Sequence, residues 1–447
     1  MTATPDAAPA PREAPVRSLA LLAAPRFLPI FLVQALGALN DHVFKNAFMA
    51  LLTWRLADEL GLNLDFHVLF AGALYILPFA LVAGAAGQIA DGVDKARMTR
   101  VVKALEIVLM SLAALAFFAQ SLIGLYVLLF LMGAQSAAFA PIKYAVLPSL
   151  LARRELMAGN GLVQSATFLA IVLGQILGIK VALMEGGVAI VSAAVIVLAA
   201  LGFLAALRVP PLPPAGPAPR VAWTLLPAIR DILRDCRRHP VPWVAILAIA
   251  WFWFAGATFL TLILPIAKVS LHASEDAALA LLFAFVAGLA AGAALTNAAT
   301  RGRITLALPP LGALGIAAGA TAFHLAATAY GAGIDRAGPL LALDAFLARA
   351  DAWAVMGAAF AMALFAGLYV VPLNAIYTLA APEAERGRFV ACSNIIDAGV
   401  MVGASLVAMV LLAAGLTREE VFAVVGLTGV LAAAWLWRRH RRAPIEL

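Results

Sequence analysis

The chain has 447 residues, 64% of them hydrophobic and only 12% charged, with a mean hydropathy of +0.99. Soluble domains average about 25% charge, so a soluble protein is excluded. Apolar runs of about 20 residues recur along nearly the whole length, which leaves a polytopic membrane protein. The net charge of +7 and pI near 9.7 do not indicate a nucleic-acid partner, because the basic residues lie in short loops between apolar runs.

Residues 1–26, rich in Ala and Pro, read as a disordered cytoplasmic N-terminus. The apolar "LALLAA" within them is short and runs into Pro25-Arg26 and a full-length span, so no cleaved signal is expected. The predicted spans are 27–54, 66–90, 101–119, 122–148, 158–183 and 187–207, forming a bundle over 27–207. Residues 208–241 are the longest polar interruption: "RVPPLPPAGPAPR" and then "IRDILRDCRRHP", a proline-rich cytoplasmic linker and a basic interfacial helix. A second bundle, 242–438, holds spans 242–267, 277–299, 304–328, 352–379, 388–414 and 419–437, and a cytoplasmic tail, 439–447, follows. Two cysteines, Cys236 in the linker and Cys392 at the start of a span, suggest no disulfide framework.

Loop charges orient the chain. The 1–2, 7–8 and 11–12 connections carry Asp58, Glu59 and Asp65, then Glu275 and Asp276, then Glu419 and Glu420, against single basic residues Arg55, Lys268 and Arg418. The other side carries Lys95, Arg97, Arg100, Arg153, Arg154, Arg230, Arg234, Arg237, Arg238, Arg301, Arg303 and the tail "RRHRR". That excess places both termini in the cytoplasm. The expected architecture is an all-α integral membrane protein with 12 transmembrane helices in two six-helix bundles.

"PIKYAVLPSLLARRELMAGNG" in spans 4–5 is loosely matched by "PLNAIYTLAAPEAERGRFVACSN" in spans 10–11, with Lys143 and Asn374 each two residues after a proline. Parallel repeats of this kind build transporters whose substrate site lies between the halves. Loop 2–3, "GQIADGVDKARMTR", resembles the major facilitator superfamily loop motif, with Gly87, Asp91, Lys95 and Arg97 in gating positions and one residue inserted before the basic part.

Polar residues inside spans are the candidates for function, since a charge at a helix centre costs roughly 2.5–3.5 kcal/mol on insertion scales. At 100° per residue, Gln34, Asp41 and Lys45 form one stripe on span 1, while His42 and Asn46 point elsewhere. Asp41 and Lys45, spaced i, i+4, either cancel each other or line a cavity; the cavity reading is preferred because a pair in lipid still costs desolvation. His42 reads as a packed interhelical hydrogen bonder. Lys143 in span 4, with Ser136 seven residues earlier, either snorkels or contacts an anion. Asn160, Gln164, Thr167, Gln175 and Gly178 share one face of span 5, for packing or for lining a cavity. Ser393, Asn394 and Asp397 cluster on span 11, where Asp397 has no basic residue within a turn and must find its partner on another helix or a ligand. Glu106 can simply pair with Lys103, and Lys180 reads as snorkelling.

No phosphate-binding loop, metal-ligand spacing or nucleophile elbow is present, so neither an enzyme nor a cofactor is expected. "ALNDHVFKNAFMALL", "FAPIKYAVLPSLL" with "AGNGLVQSATFLAIVLG", and "YVVPLNAIYTLA" resemble the bacterial lysophospholipid transporters of the major facilitator superfamily, over about residues 27–438. The resemblance implies that a lysophospholipid such as lysophosphatidylethanolamine moves from the outer to the inner leaflet of the bacterial inner membrane. A separate acyltransferase would rebuild the diacyl lipid, with membrane lipids as surroundings and the carrier a monomer. It further implies that Asp41 is the family's span-1 acid and Lys143 its span-4 lysine, with Asn40 in the Asn-Asp motif. Gln34, Lys45, Gln164, Asn374, Asn394 and Asp397 complete the expected substrate site. A basic residue that some members carry in span 7 has no counterpart in "WFWFAGATFLTLILPIA". Two rival readings are a proton-coupled exporter of a small amphipathic compound and a scaffold or scramblase.

Overall fold

The computed structural model describes residues 18–152, 155–213, 225–300, 305–382 and 386–442. Long helices occupy every predicted span. In the first half these are α1 (Leu28–Leu51), α2 (Leu64–Gly92), α3 (Lys95–Phe118), α4 (Leu122–Leu150), α5 (Leu156–Leu183) and α6 (Gly187–Leu207). A linker helix, Leu225–Arg237, precedes α7 (Pro240–Pro265), α8 (Glu275–Thr300), α9 (Leu308–Ala332), α10 (Ala350–Ala380), α11 (Arg386–Ala413) and α12 (Arg418–Arg442). The starts follow local chemistry: the side chains of Asn63, Asp94 and Ser121 accept hydrogen bonds from the backbone N–H groups of Phe66, Arg97 and Gly124. Pro78, Pro141, Pro148 and Pro372 sit inside helices that continue through them. Helices packed among neighbours tolerate this.

Among the described residues, 11 helices are long and apolar enough to cross a membrane. The long helix outside that set is α1, held out by Gln34, Asn40, Asp41, His42, Lys45 and Asn46. Its place in the structure is nonetheless that of a spanning helix, packed along α5 and α6. Polar residues on a helix that must lie at membrane depth are the first structural pointer to a site.

Within the first half α2 packs on α4 and α3 on α6; within the second, α10 packs on α8 and α9, and α9 on α12. The halves meet where α2 lies against α11 and α7, and where α5 touches α8. Gly174 and Gly178, one turn apart on α5, allow α1 to approach closely. A Cβ on Gly178 would lie 2.6 Å from the carbonyl oxygen of Val43 and 3.0 Å from the amide nitrogen of Ala47. Both are backbone atoms, so the helices would have to separate. Gly178→Val is therefore expected to cost at least about 1–3 kcal/mol. The check is the thermal midpoint of the purified protein in detergent, and a midpoint equal to the parent's would refute the close-packing argument.

α1 and α7, the first helices of the two halves, each run into a five-residue π-helical segment, Leu52–Leu56 and Ile266–Ser270. The halves thus share a local irregularity directly after their first helices. Such segments concentrate where function demands distorted backbone.

Candidate functional site

The polar residues of α1 divide between two environments. Asn40 is fully buried and donates from Nδ2 to Glu106 Oε1 at 2.9 Å. Glu106, on α3, is 1% exposed, and its other oxygen accepts from Lys103 Nζ at 2.6 Å and from Gln135 Nε2, on α4, at 3.0 Å. Lys103 is 2% exposed; its ammonium lies 5.3 Å from the Phe139 ring centroid and occupies the space a Cβ on Gly37 would need. An ion pair this deep is tolerated because the Glu106 carboxylate accepts from donors on three helices, although Asn40 Oδ1 beside it has no partner. Asn40 therefore faces the packed interior between α1, α3 and α4.

Asp41, the next residue round the helix, meets α4. Ser136 Oγ donates to Asp41 Oδ2. The other carboxylate oxygen, Oδ1, is buried with no partner. No ion pair joins Asp41 to Lys45; the Lys45 ammonium lies over the Tyr75 ring of α2, 5.3 Å from its centroid. The two charges thus do not simply cancel. An open acceptor and a cation that, among the described residues, lies against an aromatic face without an ion pair sit one turn apart, available to a ligand carrying both signs. Three residues before Tyr75, Gly72 of α2 abuts Thr261 of α7; a Cβ at Gly72 would lie 3.3 Å from the Thr261 hydroxyl. The stripe therefore lies within a turn of the contact between halves.

On α11, which faces α2 from the second half, Asp397 repeats the pattern. Ser393 Oγ donates to Oδ2 at 3.0 Å, and Oδ1 is buried without a partner. Asn394 beside it is exposed. Gln34 is buried and donates to Thr167 Oγ1 of α5 at 3.2 Å, binding α1 to α5. Gln164 is exposed, and Asn374 is exposed with its amide turned back to the Val370 carbonyl. The side chains of Lys143 and Asp91 lie outside the described residues, as does the packing around Gly87. His42 packs against Gly174 of α5, but its Nδ1 has no hydrogen-bond partner.

The loop after α2 is held by a residue the sequence reading passed over. Asp94 accepts from the Arg97 backbone N–H and from that of Leu212, while the Lys95 N–H donates to the Leu212 carbonyl. Lys95 is buried and Arg97 exposed. Asp94 ahead of a basic helix start is a legible N-cap signal. Gln135 and Tyr75 were also missed; Gln135-Ser136, a polar pair inside an apolar span, was the available sign.

At the face opposite the chain termini, three ion pairs cross between halves. Lys268, in the second π segment, meets Asp58 at 2.5 Å and the Thr53 carbonyl at 2.8 Å. Arg418 meets Asp65 at 2.6 Å, and Lys180 meets Asp276 at 2.5 Å. Lys180 is thus an interdomain ion-pair partner and not a snorkelling residue. The described ion pairs at the terminal face behave differently. Arg26–Glu155 stays within the first half, and Arg388–Asp235 ties α11 to the linker helix.

These pairs predict a charge-swap result. Lys268→Glu places like charges beside Asp58 and is expected to lengthen the distance between spin labels at Leu60 and Ala337 on opposite halves of that face. Adding Asp58→Lys should restore it, because the pair reforms with its signs exchanged. An unchanged distance in Lys268→Glu would show that this pair does not hold the face shut.

Two packed helical halves, meeting beside polar groups at membrane depth, define a membrane carrier of the two-bundle type. The family model for the Major Facilitator Superfamily matches residues 30–348, and the chain belongs to that superfamily. It is similar to the lysophospholipid transporter LplT of Cronobacter sakazakii, 27% identical over 93% of this chain and 96% of the relative. LplT of Escherichia coli is 25% identical over 92% and 95%. Among solved structures, a bacterial homologue of the human lysosomal transporter Spinster, in an inward-facing and unoccupied conformation, superposes with a TM-score of 0.68 at 15% identity, over 94% of this chain and 98% of that one. A D-xylose–proton symporter gives 0.67 at 16% identity, over 92% and 97%. These two likenesses show the fold.

Proposed function

We propose that this protein is a lysophospholipid transporter of the bacterial inner membrane, moving lysophosphatidylethanolamine-like lipids to the cytoplasmic leaflet by alternating access. The observation that carries the reading is the pair of charges on α1 that form no ion pair with each other: Asp41 with a buried, unpartnered oxygen, and Lys45 set, among the described residues, against the Tyr75 ring. A zwitterionic head group supplies both missing partners, an ammonium for Asp41 Oδ1 and a phosphate for Lys45. Lys143 is a second phosphate ligand on the family resemblance, and Asp397 a second acceptor for the amine. Gln164, Asn374 and Asn394, exposed on α5, α10 and α11, are proposed to meet the substrate as the halves move. Exposed apolar side chains along the helices accept the single acyl chain. The names of the relatives support the substrate class, and a carrier of this kind needs neither catalytic residues nor a cofactor.

The halves, 27–207 and 242–438, rock about the α2–α11 seam. The three crossing ion pairs support a state closed at the extracytoplasmic face, with both termini cytoplasmic. Gly87, Asp91, Lys95 and Arg97 form the opposing latch in the alternate state. The protein works as a monomer and hands its cargo to a separate acyltransferase.

The test is uptake of labelled lysophosphatidylethanolamine by spheroplasts lacking their own lysolipid importer, read as label that albumin no longer extracts. Protein-dependent protection is expected. Absent protection, with folded protein shown in the membrane, would overturn the reading and turn attention to an exporter. Protection of intact diacyl lipid in both directions would indicate a scramblase.

A further inference from the structure

Gln135 and Glu106 play no part in the reading above, yet they stand directly behind Asp41. Glu106 accepts from Asn40, Lys103 and Gln135 on three helices, so its carboxylate is immobilised. Gln135 spends its amide nitrogen on Glu106 at 3.0 Å, which fixes which way round the amide sits. Its Oε1 is then turned to Ser136, at 3.3 Å from Oγ. The Ser136 hydroxyl has one hydrogen, for which Asp41 Oδ2 and Gln135 Oε1 compete beside the Tyr75 hydroxyl. When it donates to Asp41, the carboxylate is held with Oδ1 open; when it turns to Gln135, Asp41 loses that anchor.

We propose that Gln135, oriented by the Glu106–Lys103 pair, is a positioning residue that sets through Ser136 which way the open oxygen of Asp41 points, and so determines selectivity for amine-bearing lysolipids. The proposal rests on the reading of Asp41 as the amine's partner. The chain runs Lys103 to Glu106 to Gln135 to Ser136 to Asp41, across α3, α4 and α1. The titratable groups around Asp41 are Glu106 and Lys103 from α3, Lys45 on its own helix and Tyr75 from α2. Among these, the Glu106 carboxylate is fixed by donors on three helices.

The experiment is binding of two lysolipids to the purified protein, lysophosphatidylethanolamine and amine-free lysophosphatidate, followed by ligand-dependent thermal shift. Gln135→Leu frees the amide's contacts; Ser136→Ala cuts the chain while leaving Glu106 all three of its donors, so it tests the idea even if Gln135→Leu fails to fold. Each is expected to weaken the amine-bearing lipid about tenfold, the order expected for one hydrogen bond to a charged group, and to leave lysophosphatidate unchanged. The double variant should be no worse than either single one. Equal weakening of both lipids, or additive losses, would reduce the chain to helix packing. If Asp41→Asn discriminates against the amine while Ser136→Ala and Gln135→Leu bind as the parent does, the positioning role fails and the Asp41 reading stands. If the parent binds neither lipid, the function itself is wrong.

Discussion

Asp41→Asn is expected to reduce albumin-protected uptake of lysophosphatidylethanolamine by at least about tenfold in spheroplasts, at unchanged amounts of folded protein. The substitution is nearly isosteric and keeps an acceptor for Ser136, so helix packing should survive. It removes the charge that the open Oδ1 offers to an ammonium, an interaction of order 1.5–3 kcal/mol for a charged hydrogen bond. A lysolipid without an amine should lose much less, because in the proposed site Lys45, and not Asp41, meets its phosphate. Uptake at the parental rate for both lipids would remove Asp41 from the site and leave Asp397, which also has a buried, unpartnered oxygen and lies within a span facing α2, as the next candidate.

The second large effect concerns stability. Glu106→Ala leaves the Lys103 ammonium, 2% exposed, without its carboxylate, and leaves the Asn40 and Gln135 amides without their acceptor. The expected cost is about 3–5 kcal/mol, the usual result of stranding one partner of a buried ion pair. A large fall in the thermal midpoint in detergent, or loss of folded protein, is the readout. The paired replacement Lys103→Met with Glu106→Gln removes both charges and keeps the side-chain volumes, so it should recover most of the loss. If Glu106→Ala melted like the parent, the network would be an accessory feature and not the tie between α1, α3 and α4.

In the proposed reading, binding and scaffolding fall to adjacent residues of α1. Asn40 and Asp41 differ by about 100° in direction. That rotation sends Asn40 to Glu106 and Asp41 to Ser136, so neighbours in sequence serve different helices. On the proposed site, the Asn-Asp motif of span 1 would therefore combine a structural amide with a ligand-facing acid. Its position on the helix least suited to a hydrocarbon environment is consistent with that division.

Much of the molecule was legible in the sequence, and for simple reasons. Span positions follow from runs of about 20 apolar residues, since backbone at membrane depth must satisfy its own hydrogen bonds. The division into halves follows from the proline-rich, basic stretch before Pro240. Asp41, Lys45 and Asp397 announced themselves because a charge at that depth is costly. The loop acids Asp58, Asp65 and Asp276 served the sequence reading only as indicators of topology. In the fold they cross between halves to Lys268, Arg418 and Lys180, which hydropathy and loop charge could not have shown.

What the sequence determined by itself was local and periodic: which segments are helices, where they break, and which of their residues are too polar for lipid. What only the tertiary structure decided was pairing. Ser136 meets Asp41 across 95 residues, and Asn40 meets Glu106 across 66. Glu106 looked like half of a local pair with Lys103, and that pair does form, but two of its three donors come from other helices. Local patterns report how a residue suits its own helix, whereas a buried charge is made tolerable by groups brought to it from elsewhere in the chain. Such partnerships depend on how helices pack, and they exist only once the fold does.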